Sequence, residues 1–579
     1  MEKTLQEKIE FHISNYIKDH GTNLHKNFKF RPGQKEAIVD IVNTFFDDKR
    51  KLHVLSAPTG SGKSQVALCA AYILNKLGKK GYILTSDLSL FDQYVEDINK
   101  YKLGYGYVKG IDNYECTENG EKHSLGECKL KNLNAYDTKQ LDCYRECPYF
   151  FARDYASVSD VSLMTYSLYL IHMNYVLPRV ENPPFDERDF IICDEAHKVL
   201  NIVQKHFSPT IDENTYPMLE RLRTFLAEKS MAIAYSGNEI KSILNKIFNE
   251  EDKEKLFIYN KQFEKMLGSF VNHADEVKKF VGRKYNGRKV PKEWRKGLNL
   301  CDWVKDVHCK FEDYNHIIAK TDIRAIIKNQ SDTTIQFNCI NEKYLMKKHF
   351  WENTNFTGMM SATIGDPSTF VKSIKGPSAK YRKIPNSFNF DKSPIYVYQG
   401  LSMSYKNKND SFPRMIEKID EILDRHPHEN GIIHTGSYAN SKRIFEDSRH
   451  QNRILRYSDA SDKKDLLFDF NNRDNSVLMG PSILEGINLF DEKSRFQIIA
   501  KVPYASIADR FVAAKMKIDP PWYNWQTIIN ILQGIGRSIR HKDDFAVTYI
   551  LDGDFIQLWR RNRHHFPDEF NDRMIFPRF

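Results

Sequence analysis

Short apolar runs broken by glycine, proline and acids alternate along this chain with stretches whose apolar positions return every three or four residues, the pattern of buried strands between amphipathic helices. "KLHVLSAPTGSGKSQVALCAAYIL" is the clearest case: an apolar strand, a glycine-rich turn, then a helix. "DFIICDEAHKVL" is a second buried strand, and it ends in acids. Toward the C-terminus "SPIYVYQG", "GIIHTG", "NSVLMGP", "FQIIAKVPY" and "FAVTYILDG" repeat the strand pattern between helical stretches, which predicts a second α/β domain. Between "DEAH" and "SATI" lie roughly 160 residues, far more than a strand-to-helix connection needs. Helical spacing in "TYPMLERLRTFLAE", "EIKSILNKIF" and "QFEKMLGSFVNHADEVKKFV" predicts a separate helical domain there.

The glycine-rich turn has the chemistry of a phosphate cradle. After Thr59, the backbone N–H groups of Gly60, Ser61 and Gly62 can wrap phosphate oxygens, Lys63 can reach the β/γ-phosphates of ATP, and the Ser64 hydroxyl can hold Mg²⁺. Ala57 stands where the first glycine of such loops usually is. Asp194 can hold the Mg²⁺ through water and Glu195 can orient or deprotonate the attacking water, provided both sit at a strand end beside the loop. Three later strings extend the order: "GMMSATI" with Ser361 and Thr363, "GPSILEGINLF" with Glu485 and Gly486, and "ILQGIGRSIRHKDD" with Gln533, Arg537 and Arg540. The two arginines share a helix face and can reach a transferred phosphoryl group from an opposing domain; read alone, they are equally a solvated face.

Composition narrows the setting. At 579 residues the chain has room for several domains, and 86 Lys and Arg against 76 Asp and Glu lean modestly toward polyanionic partners. The charged N-terminal stretch lacks the apolar centre of a signal peptide, and no 18-residue apolar run occurs, so the expected location is the cytoplasm, or the nucleus in a cell that has one, without membrane attachment. Four of the nine cysteines, Cys116, Cys128, Cys143 and Cys147, crowd between the two phosphate motifs. In a reducing compartment such a group reads as metal-binding rather than disulfide-bonded, while the other five read as small buried apolar side chains.

The ordered set resembles the superfamily 2 helicases, and within them the XPD/DinG family of iron-sulfur DNA helicases. "FRPGQKEAI" resembles the adenine-contacting Q motif, with Arg31 and Gln34 at the base; "YILTSDLSLFDQY" resembles motif Ia, "GIIHTGSYAN" motif IV, and "QGIGRSIR" motif VI. Asn488 stands where the family usually has an aspartate after Glu485 and Gly486. The resemblance implies two RecA-like P-loop motor domains, the first carrying a small iron-sulfur insertion and a helical Arch-like insertion. The implied spans are 1–104, 156–205 and 334–385 for the first motor domain, 105–155 for the cluster domain, 206–333 for the Arch and 386–579 for the second motor domain.

It also implies an ATP-dependent DNA helicase that moves 5′-to-3′ along single-stranded DNA and opens forked duplex, working as a monomer and open to recruitment by other DNA-processing proteins. The four cysteines match the family's cluster ligands by position, which implies a [4Fe-4S] cluster. Their spacing, C-x11-C-x14-C-x3-C, is not that of a zinc ribbon, though zinc and unligated thiols stay open as alternatives. Tyr144, Tyr149, Phe150 and Phe151 offer stacking faces to a passing strand or else pack the insertion's small core. Expected phosphate grips are Thr85 and Ser86 in motif Ia and Thr435 and Ser437 in motif IV. Nine basic residues between Lys278 and Lys296 face one acid, Glu293, and read either as a solvated loop or as a phosphate-binding one. A DEAH-type RNA helicase and a DNA-binding scaffold with a spent ATP site are the competing readings.

Overall fold

The computed structural model describes residues 3–577 apart from 25, 48, 132–134, 232, 286–287, 387–389, 458–462, 482–488, 490, 537 and 540–543. Two seven-stranded, wholly parallel sheets form the body of the protein. In chain order the strands are β1 (Leu52–Ser56), β2 (Gly81–Thr85), β3 (Gly106–Tyr107), β4 (Val161–Thr165), β5 (Phe190–Cys193), β6 (Thr210–Asp212), β7 (Ile326–Gln330), β8 (Thr334–Cys339), β9 (Thr357–Ser361), β10 (Ala379–Lys383), β11 (Ile395–Val397), β12 (Gly431–His434), β13 (Ile454–Arg456), β14 (Val477–Gly480), β15 (Phe496–Ile499), β16 (Val547–Ile550) and β17 (Met574–Ile575). The first sheet runs β10-β1-β9-β5-β2-β4-β3 and the second β13-β14-β12-β15-β16-β11-β17. Both are the α/β motor sheets expected from the sequence. Their central strands are buried almost end to end because helices cover both faces, so no solvent-facing side is left to alternate.

Parallel strands share one C-terminal edge, and that edge positions the chemistry. β1 hands over to the glycine loop and then to α1 (Lys63–Lys76), while β5 ends at Asp194 and β9 at Ser361. β2 leads through Ser86 into α2 (Leu88–Tyr101), capped by the Asp87 carboxylate, which accepts from the Leu90 N–H at 3.0 Å. Gly60 and Gly62 hold φ of 77° and 78°, a conformation that side chains with a Cβ resist, which is why the loop takes glycine at both places.

The long insertion is not purely helical, contrary to the sequence expectation. Its helices α3 (Thr215–Glu228), α4 (Gly237–Asn249), α5 (Lys253–Lys284) and α6 (Lys292–Lys320) stand on a three-stranded antiparallel sheet, β6-β8-β7, in which the outgoing strand β6 pairs with the returning β8. α5 and α6 form a long antiparallel hairpin; at 32 residues, α5 is about 48 Å long. The cysteine-bearing segment also departs from its expected start, since Gly106 and Tyr107 pair with β4 as the edge of the first sheet.

Two helices of the second unit, α7 (Arg510–Ile518) and α8 (Pro520–Ile535), join it to the first. The Trp525 indole N–H donates to the Ile364 carbonyl at 3.2 Å, and Trp522, Trp525 and Ile529 enter the same apolar core as the first sheet and the insertion. Asn329 of β7 donates to Asp509 at 2.8 Å, and Arg510 pairs with Glu251 at 2.7 Å. Lys515 and Glu342 form an ion pair with both side chains 4% exposed, and Lys515 also lies 4.0 Å from the centre of the Trp522 ring. No helix among the described residues is long and apolar enough to cross a membrane.

Removing one partner of a buried ion pair strands the other charge, at a cost of about 3–5 kcal/mol. Glu342→Ala should therefore lower the melting temperature by several degrees, and adding Lys515→Met should recover most of the loss; equal melting of Glu342→Ala and the parent would show that the pair contributes nothing to this seam.

Candidate ATP site and nucleic-acid interface

A cleft between the two sheets is lined by Arg31, Thr59, Gly60, Gly62, Lys63 and Ser64 from the loop side, Asp194, Glu195 and His197 from the end of β5, Thr363 from the end of β9, and Gln533 from α8. The fold thus brings together the loop, the DEAH acids, the SAT hydroxyls and motif VI, which are scattered over most of the sequence. Arg537, Arg540, Glu485, Gly486 and Asn488 lie outside the described residues.

Asp194 is buried, and its carboxylate is held from two sides: the Glu195 N–H donates to Oδ1 at 2.8 Å and the Tyr94 hydroxyl to Oδ2 at 2.9 Å. Burial pushes its carboxyl up to about 6, against the pull of the Lys63 ammonium and with a further push from Glu195. Glu195 takes a left-handed backbone, φ 50°, a conformation costly for a residue with a side chain and one that re-aims the acid pair at the strand end. Ser64 does not bond to Asp194. Its hydroxyl donates instead to Asp97 Oδ2 at 2.8 Å, a residue that no sequence motif singled out.

His197 ties three motifs together. Its Nδ1 lies 2.8 Å from Ser361 Oγ and 3.3 Å from Glu195 Oε2, and its Nε2 is bonded by the Gln533 amide, which also donates to Thr363 Oγ1 at 3.3 Å. With the amide nitrogen donating, Nε2 must accept, so the ring proton sits on Nδ1 and points at Ser361. The DEAH histidine, which carried no role in the sequence reading, is the physical bridge across the cleft.

Several of the expected contact residues are engaged within the protein. Gln34 is buried, and its amide N–H groups go to the carbonyls of Ser61 at 2.7 Å and Gly62 at 3.3 Å, while its oxygen accepts from the Arg31 N–H at 2.8 Å. In this state it braces the phosphate loop and has no donor left for adenine; Arg31 likewise donates to the Gly60 carbonyl. Thr85 and Thr435 are buried, and the Thr435 hydroxyl is shared between the Gly480 carbonyl at 3.0 Å and that of Ser437 at 3.1 Å. Ser86 donates to Asp87, and Ser437 caps its helix through the Asn440 N–H at 3.1 Å. Thr435 and Ser86 thus place their protons within the protein, whereas Ser437 accepts at its cap and keeps its hydroxyl proton to donate.

The four cysteines converge. Cys116, Cys128 and Cys147 are buried and Cys143 half-buried; burial pushes the Cys128 thiol up to about 11, and the neighbouring sulfurs of Cys116, Cys147 and Cys143 add to it. A Cβ at Gly126 would lie 3.2 Å from Cys116 Sγ, so glycine leaves the sulfur its room. Tyr149 and Phe150 pack around buried His123, with ring centres 4.6 and 4.9 Å away, and present no stacking face to a strand. On the same helix, Pro148–Val158, Phe151 is 70% exposed and Val158 77%.

The basic segment is neither a free loop nor a bare phosphate grip. Glu127, buried beside Cys128, accepts from the Val290 N–H at 2.9 Å and from Arg295 at 2.9 Å; Lys289 donates to the Glu118 carbonyl at 3.1 Å, and Lys278 is paired with Asp302. The tip of the helical hairpin is thereby docked onto the cysteine segment.

Residues 419–573 match the family described as Helicase C-terminal domain, and residues 27–215 match the one described as Type III restriction enzyme, res subunit. These spans hold motif VI and the phosphate loop with its acids. In these spans the chain is similar to XPD/DinG-like superfamily 2 helicases. The ATP-dependent DNA helicase YoaA of Escherichia coli is 22% identical over 91% of this chain and 92% of its own length. The ATP-dependent DNA helicase CHL1 of Debaryomyces hansenii is 23% identical over 70% of this chain and 57% of its own. This chain thus spans a little over half the length of the CHL1 relatives. A solved XPD helicase superposes with a TM-score of 0.64 at 16% identity, covering 95% of this chain and all of the other, and the Xpd4 structure from S. tokodaii gives 0.56 at 14% identity over 94% and 99%.

Burial sorts the aromatics of the cysteine segment by role. Phe150→Ala should cost about 3–5 kcal/mol and expose the segment to limited proteolysis, whereas Phe151→Ala should leave its protease resistance unchanged; a Phe150→Ala protein as resistant as the parent would contradict this packing.

Proposed function

We propose that the chain is an ATP-dependent DNA helicase that moves along single-stranded DNA. The observation that carries the reading is the His197 bridge: hydrolytic acids on one sheet are bonded to Gln533 on the other, so the state of the phosphate site and the width of the cleft are one variable. Lys63 reaches toward the β/γ-phosphates, Glu195 orients the water, and Gln533 senses the result; Arg537 and Arg540, just beyond α8, are assigned to the γ-phosphoryl group. Ser64 Oγ and an Asp194 carboxylate oxygen form the hard-oxygen set that suits Mg²⁺, which when bound neutralises phosphate charge.

The cysteine quartet suits an iron-sulfur cluster better than one zinc ion. A tetrahedral ZnS₄ site brings sulfurs to about 3.8 Å of one another. Among the described residues, the group whose ligand atoms close to within 4.8 Å is His308, Cys309 and Glu312 on α6, not the four cysteines. Burial and the neighbouring sulfurs hold the Cys128 thiol protonated, so thiolate ligation there calls for a cationic group to compensate the charge. Cys116, Cys128, Cys143 and Cys147 would hold a [4Fe-4S] cluster, which would staple a segment with little apolar core of its own. On this reading the segment, with the hairpin docked onto it, parts the strands of forked duplex, with 5′-to-3′ movement as the family resemblance implies.

The deciding experiment compares ATP hydrolysis with single-stranded DNA and with RNA of the same sequence. DNA should stimulate turnover strongly; preferential stimulation by RNA would make the chain an RNA helicase, and hydrolysis indifferent to both would favour the scaffold reading. Lys63→Ala should abolish turnover, and Glu195→Gln should bind ATP without hydrolysing it.

Cys143→Ser should lose iron and duplex opening while keeping much of the DNA-stimulated hydrolysis, because the parallel sheets have their own cores. Cys301→Ser, buried between the long helices, should retain both its iron and its unwinding.

A further inference from the structure

Ser64 is the last residue of the phosphate loop motif, and its hydroxyl has one proton and two lone pairs to place. The proton goes to Asp97 Oδ2 at 2.8 Å, which leaves the lone pairs for the cleft. The carboxylate beside it, Asp194, is already committed elsewhere, Oδ1 to the Glu195 N–H and Oδ2 to the Tyr94 hydroxyl. Tyr94 and Asp97 stand one turn apart on α2. One helix therefore orients both oxygen donors proposed for the cation, one through a phenol and one through a carboxylate.

Asp97 itself is not among the residues that line the cleft, whereas Lys63, Ser64, Asp194 and Glu195 are. It stands behind Ser64, partly exposed to solvent on its other side and away from the cleft lining. A hydroxyl that coordinates a cation becomes a stronger proton donor, so an anionic acceptor behind it gains strength as the cation binds.

We infer that Asp97 is a positioning residue for the Mg²⁺ site, holding Ser64 Oγ with its lone pairs toward the cation and tightening as the cation binds. This rests on the ATP reading of the cleft. It also gives α2 a task beyond packing: the helix that begins at motif Ia, beside the expected nucleic-acid track, ends its reach on the metal ligands.

The test is binding of a fluorescent ATP analogue by the full chain, titrated with Mg²⁺ and repeated in excess EDTA. Asp97→Ala should raise the Mg²⁺ concentration for half-maximal effect by about 10–100-fold, the usual span for loss of a residue that orients a metal ligand. Affinity in EDTA and the melting temperature should be unchanged. Asp97→Asn, which keeps the size and a weaker acceptor, should shift the midpoint in the same direction by a smaller factor, and it carries the test if the alanine variant is poorly folded. In a Ser64→Ala background Asp97→Ala should add nothing, because its effect passes through that hydroxyl. Weakening of equal size with and without Mg²⁺, or a further Mg²⁺ shift in the Ser64→Ala background, overturns the inference. A parent protein whose nucleotide binding ignores Mg²⁺ overturns the ATP reading itself, and the inference with it.

Discussion

The imidazole of His197 has two nitrogens, and the protein spends them on different bodies. One faces Ser361 and Glu195 on the first sheet, and the other takes the Gln533 amide from the second. Gln533 arrives there because α8 is pinned two turns earlier, where the Trp525 indole is bonded to the Ile364 carbonyl. Two bonds on one helix thus register the second unit against the segments that follow β5 and β9. A movement at Glu195 can thus reach Gln533 through a single ring.

Much of the fold was readable because parallel strands buried on both faces leave a blunt signal of continuous apolar residues. β1, β5, β9, β12 and β15 all follow it. The insertion's small sheet left no such mark: "TID", "IIKNQ" and "TIQFNC" are short and mix polar with apolar residues, and β6 pairs with a strand distant in sequence. Local pattern carries no information on such a pairing. β3 escaped for a simpler reason, being only two residues long.

The site was legible in its residue types and less so in its bonds. Glycines, Lys63 and the acid pair advertise phosphate chemistry through composition and spacing alone. Gln34, Thr85 and Thr435 have side chains suited to ligands, yet strand ends and loop backbones bring their own unmet donors and acceptors, and those claims come first. Tyr149 and Phe150 are neighbours on a short helix flanking the cysteines; a segment that small needs its aromatics inside. Asp97 was hidden by its surroundings, "VEDINKY", which look like any solvated helical stretch until the fold lays that face against Ser64.

The pairing of β6 with β8 has a consequence for how this protein can vary. The chain leaves the first unit and re-enters it on adjacent strands, so the span between them is closed off by its own base. Helices in that span can lengthen, shorten or be replaced without altering the separation of the two exits, and loop-closure cost grows only slowly with length. The insertion can therefore vary in length between its contacts with Asp509, Arg510 and the cysteine segment while the two parallel sheets keep their geometry.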